Sequence, residues 1–105
     1  MNSVDRVIFH KYVQEAAAKI EAAGGLPDHP SHPMGRIPVA HIYHVIQSIM
    51  GVPARDVPGD RLDHLKEIVD FCVQHREDQH ITRQIKHKYQ PVETITAASL
   101  EDFFA

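Results

Sequence analysis

The stretch "DRLDHLKEIVDFCVQHREDQHITRQIKHKYQ", residues 60–90, decides the architecture of this chain. Its first half places Leu62, Leu65, Ile68, Val69, Cys72 and Val73 on one face at helical spacing. "HREDQ" (75–79) then interrupts the pattern, and Ile81, Ile85 and Tyr89 resume it in steps of four. An unbroken helix over 60–89 would be a rod of about 45 Å. A break near Gln79 would instead fold the second piece back onto the rest. A chain of 105 residues has too little core to support the rod, so the expectation is a break, with Asp60 as N-cap of the first piece.

Upstream, Val39, Ile42, Tyr43, Ile46, Ile49 and Met50 trace a second apolar helical face, with His41, His44, Gln47 and Ser48 opposite. Pro38 suits its first turn, and Gly51 with Pro53 ends it. Before that lies "LPDHPSHPMGRIP" (26–38), whose four prolines exclude both helix and central strand. Over 3–23, Val4, Ile8, Tyr12, Ala16 and Ile20 recur every four positions, flanked by Val13 and Ala17, and give a first helix. Asn2 followed by Asp5 is its start signal, and Gly24-Gly25 its left-handed stop. Pro91 closes the last helical stretch, and "VETIT" reads as extended. The expected fold is mainly α: a small bundle of three or four helices forming one domain over 1–90. A proline-rich loop flanks it, and a short C-terminal arm or linear motif occupies 91–105.

Composition narrows the function classes. An apolar fraction of 43 % with 24 % charged residues is that of a folding globular chain rather than a disordered one. The single cysteine, Cys72, excludes an internal disulfide, and no apolar run reaches the roughly 20 residues of a membrane span. The expectation is an intracellular, cytoplasmic protein with no membrane partner. Net charge is −3, unevenly placed: residues 75–89 carry Arg76, Arg83, Lys86 and Lys88 against two acids, and residues 90–105 carry three acids and no base. Those four cations are the candidate phosphate contacts of a nucleic-acid-binding reading. A pI near 6.3 lacks the positive field of a dedicated binder.

Nine histidines supply a metal reading. His29 and His32 are three apart in the proline-rich loop, and His41 and His44 are three apart on a helix, a set suited to zinc or nickel. Zinc sites normally mix histidine with cysteine or carboxylate, so the leading expectation is no cofactor. Cys72, with His75 one turn on, lies on an apolar stripe and reads as a buried structural thiol. No glycine-rich phosphate loop and no Ser-His-Asp grouping is present, so an enzyme is not expected. Tyr12, Tyr43, Phe9 and Phe71 read as core packing rather than a base-stacking platform.

The chain closes on "TAASLEDFFA" (96–105). Leu100, Phe103 and Phe104 stand at i, i+3 and i+4, so one helical turn puts all three on one face with Glu101 and Asp102 pointing away. This string resembles the sliding-clamp-binding peptide known as the PIP box, written Q-x-x-[LIM]-x-x-[FY]-[FY]; the glutamine position of that motif is Ala97 here. The resemblance covers eight residues. It implies that Leu100, Phe103 and Phe104 anchor in a partner's hydrophobic pocket. The expected function is a small adaptor or regulator acting by protein contact, an accessory factor in DNA replication or transcription. Docking of the same face on the chain's own core, or across a homo-oligomer, is the other outcome.

Overall fold

The computed structural model describes residues 1–28, 35–78, 80–89 and 91–92. They form four α-helices, α1 (Ser3–Ala22), α2 (Pro38–Met50), α3 (Leu62–Gln74) and α4 (Ile81–Ile85), with no strand among the described residues. Short 3₁₀ turns occupy Ala54–Asp56, Gly59–Arg61 and Lys86–Lys88. The protein is a mainly helical bundle. α2 is its centre: it packs against α1, α3 and α4, while α1 and α3 close the third side.

The helix signals act as the chemistry requires. Asn2 has extended backbone and its side chain accepts from the Asp5 amide at 2.8 Å, satisfying one of the free donors of α1. At the other end Gly25 N–H donates to the Ile20 carbonyl and Gly24 N–H to Glu21. That pair of bonds is a Schellman closure, and φ of 112° and 80° at the two glycines is open to residues without a Cβ. α2 starts with Pro38 in its first turn and stops at Gly51, φ 78°. Val92 N–H then returns to the Met50 carbonyl at 2.7 Å, supplying a partner for one of the last carbonyls of α2.

The helix break is present, and its cause is local. Residues 75–78 form a turn in which Asp78 N–H donates to the His75 carbonyl, and His75 Nδ1 lies 3.1 Å from Asp78 Oδ2. The second piece is then only five residues of α4 followed by a 3₁₀ turn, too short to hold helix alone. Ile81 and Ile85 bury it against α2.

Two expectations are corrected. Asp60 does not cap α3: it sits inside the 3₁₀ turn Gly59–Arg61, where Arg61 N–H already bonds to the Pro58 carbonyl, and Arg61 precedes the helix with no side-chain cap. A residue in that turn lacks the extended backbone of an N-cap. The inner face of α1 is also different. Phe9, Val13, Ala16, Ala17 and Ile20 are buried, whereas Val4 and Ile8 are exposed and Tyr12 lies at the edge. Residues four apart advance about 40° beyond a full turn, so a strict four-residue repeat winds across the helix. Over sixteen residues Val4 and Ile20 end on opposite sides.

The core joins these α1 residues to Ile42, Val45, Ile46, Ile49 and Met50 of α2 and to Leu65, Ile68, Val69 and Cys72 of α3. No described residue with a polar or charged side chain is buried.

Candidate functional site

Each tyrosine sits at a seam between elements, with its hydroxyl in a polar contact. Tyr12 of α1 donates to Asp70 Oδ1 of α3 at 2.5 Å, with Lys66 Nζ 5.6 Å from its ring centre. The Asp70 hydrogen bond, followed by burial, pushes this phenol up to about 12. Tyr43 of α2 meets His10 Nδ1 of α1 at 2.6 Å, and its ring lies edge-on to Phe9. Tyr89 donates to Glu67 of α3 at 2.8 Å. These contacts engage the polar ends of all three rings in holding the bundle together.

Cys72 is fully buried, and burial pushes its thiol up to about 12, leaving it protonated and inert at neutral pH. His75 stacks on Phe71 with ring centres 4.1 Å apart and bonds to Asp78.

A groove of about 520 Å³ runs along Gly35, Arg36, Ile37, Ala40, His41 and His44. Arg36 Nη2 lies 2.9 Å from His41 Nδ1. A guanidinium only donates, so Nδ1 is the acceptor and the imidazole proton sits on Nε2. Burial first, then the charges of Arg36 and His44, push His41 down to about 4 from 6.5. His41 and His44 thus share a groove, but one ring nitrogen of His41 is already engaged. No set of three metal-ligating side chains occurs among the described residues. His29 and His32 lie outside them.

The sign of the His41 shift fixes a pH dependence. A depressed histidine pKa means that the folded state binds the proton less tightly than the unfolded one. Its contribution to stability is complete above about 6.5 and is lost as pH falls toward about 4. His41→Asn keeps an acceptor for Arg36 but does not titrate. Thermal melts at pH 7.5 and pH 4.5 should show a smaller acid-induced fall in Tm for this variant than for the parent, and equal falls would contradict the assignment.

The cations of residues 76–89 do not line one helix. Arg76, in the turn after α3, donates from Nη1 to the Gly25 carbonyl at 2.9 Å and pairs with Glu77 at 3.2 Å. It therefore closes the C-terminal end of α1, where a positive charge also favours the helix dipole. Arg83 on α4 and Lys86 and Lys88 in the following turn are exposed.

The feature that the four-residue count misread is the outer face of α1. Val4 (66 % exposed), Val7 (72 %) and Ile8 (53 %) lie side by side there, one turn of helix holding all three. Their nearest equal is Ile37, 70 % exposed, at the groove. Single exposed aliphatics are ordinary, whereas three adjacent ones make a patch. Counting in alternating threes and fours from Phe9 to Val13, Ala16 and Ile20 would have found the core, and by subtraction this patch. The proposed anchors Leu100, Phe103 and Phe104, with Glu101 and Asp102, lie outside the described residues. No helix of the described residues is long and apolar enough to cross a membrane. Comparison with protein-family models, with curated proteins and with solved structures gave no match.

Proposed function

We propose that this protein is a small helical adaptor or regulator that works by protein–protein contact. One observation carries the reading: Val4, Val7 and Ile8 form an exposed apolar patch on the outer face of α1 and take no part in the core cluster of the described residues. An exposed patch of this kind stabilises nothing within the fold and gains free energy only when another surface covers it. The arrangement of the polar groups agrees with this. Tyrosine hydroxyls, Arg76 and Cys72 are each engaged in holding or filling the bundle.

Under this proposal the C-terminal stretch supplies a second contact, with Leu100, Phe103 and Phe104 as anchors and Glu101 and Asp102 keeping it hydrated. Its resemblance to clamp-binding peptides suggests an accessory role in DNA replication or transcription. Arg83, Lys86 and Lys88 are then the groups available to phosphate, with Arg76 held elsewhere.

Matched pull-downs test the proposal with three chains: the full sequence, a version ending at Thr96, and a Val4→Glu/Ile8→Glu double variant. Loss of a defined partner with either altered chain, while the circular dichroism spectrum is kept, is the expected result. Identical partner sets from all three would overturn it. A sliding clamp lost only with the last nine residues would identify the tail's target.

A further inference from the structure

The outer face of α1 continues beyond the apolar patch, and its order of side chains specifies what would cover it. The outward positions Val4, Val7, Lys11, Gln14, Ala18 and Glu21 step alternately by three and four, the spacing of a helix seam that meets another helix along its length. All six are exposed, as are the flanking Ile8, Glu15 and Ala22. Large apolar groups occupy the first two turns, Lys11 and Glu15 the middle, and small Ala18 and Ala22 the end.

We propose that a second copy of this chain covers this face, the two α1 helices packing antiparallel about a two-fold axis that crosses their outer faces midway between Lys11 and Glu15. The inference rests on the protein-contact reading and names its partner. In this register Val4 of one copy faces Ala22 of the other, Ile8 faces Ala18, and Lys11 faces Glu15. Val4 and Ile8 each meet an alanine, which lets the helices approach closely, and two symmetric Lys11–Glu15 pairs form at the centre, with Val7 at the level of Lys19. Shifting the pairing to oppose Lys11 with Lys11 sets like charges together in the seam, and a parallel pair sets every position against its own kind, Lys11 against Lys11 included. Charge and size complementarity therefore select the antiparallel arrangement. The face runs the whole of α1, about 30 Å, so contact is not limited to the patch.

Sedimentation or light scattering of the full chain across the micromolar range tests this. The expected result is a concentration-dependent dimer that Val4→Glu makes monomeric without changing the circular dichroism spectrum. Lys11→Glu and Glu15→Lys should each weaken dimerisation by roughly tenfold, because symmetry converts two attractive pairs into two repulsive ones. The double variant Lys11→Glu/Glu15→Lys should recover it. In a mixture of Val4→Cys and Ala22→Cys chains, oxidation should give the mixed disulfide in preference to Val4–Val4 cross-links; native Cys72 is buried and does not compete.

A chain that stays monomeric overturns the second copy. If the Val4→Glu/Ile8→Glu variant still loses a partner in the pull-downs, the protein-contact reading survives that failure; if it does not, the patch has no role in either. A dimer indifferent to Val4→Glu overturns the surface. Failure of the charge swap to restore dimerisation, or a preference for Val4–Val4 cross-links, overturns the antiparallel register.

Discussion

Phe9→Ala should lower Tm by on the order of 20 °C, while Ile8→Ala, at the adjacent position, should leave it nearly unchanged. Phe9 is 2 % exposed, lies in the core cluster, and presents its ring edge to Tyr43 of α2. Removing such a ring costs about 3–5 kcal/mol, the lost burial plus the cavity left behind. For a chain of this size each kcal/mol moves Tm by about 4–8 °C. Ile8 is 53 % exposed, and alanine is the better helix former, so its replacement in dilute solution should stay within about 0.5 kcal/mol of the parent. Thermal melts of the two variants side by side decide the orientation of α1. Equal losses, or a larger loss at Ile8, would mean that the helix is rotated from the position described.

Ile85→Asp is expected to release α4 without unfolding the rest. This five-residue helix has no stability of its own and is held to α2 by Ile81 and Ile85, which are 3 % and 1 % exposed. Burial of two such side chains is worth about 3–6 kcal/mol in all, and an unpaired carboxylate in the same place reverses that preference. The cost to the whole molecule is limited by the docking free energy, because undocking exposes the carboxylate to water. Native-state hydrogen exchange should therefore show amides of residues 81–88 losing protection by more than a hundredfold, with α1, α2 and the first turns of α3 retaining theirs. Uniform loss over all four helices would show that α4 is inseparable from the main cooperative unit.

Those two positions also show what the chain discloses before it is folded. α2 and α3 were legible because their apolar residues step by threes and fours, as in Ile42, Ile46, Ile49 and in Leu65, Ile68, Val69, Cys72, which keeps one face in register with one neighbour. The interruption at 75–78 was legible because a run of polar residues has nothing to bury. α1 misled because alanine and valine recur so often along it that two stripes fit the same letters, and only the partner helices decide between them. The polar ties were not legible at all. Tyr12 and Asp70 are 58 residues apart and His10 and Tyr43 are 33 apart, so their pairing is a property of how the helices meet. The neutral state of His41 likewise depends first on its burial among the packed elements and then on Arg36 arriving from the loop, neither of which a spacing rule reports.

The placement of the tyrosines has an optical consequence. The chain contains no tryptophan, so its three phenols dominate near-ultraviolet absorption and emission. Each marks a different junction: Tyr12 between α1 and α3, Tyr43 between α1 and α2, and Tyr89 between the end of the last 3₁₀ turn and α3. Tyr12 is pushed up to about 12 chiefly by its bond to Asp70, and Tyr89 to about 12 by burial and then Glu67. Both rings therefore withhold tyrosinate colour through the range in which a free phenol ionises, for as long as their junctions stay closed. The bundle thus carries its own chromophores at its seams, and replacing any one of them with phenylalanine assigns the remaining signal to the other two.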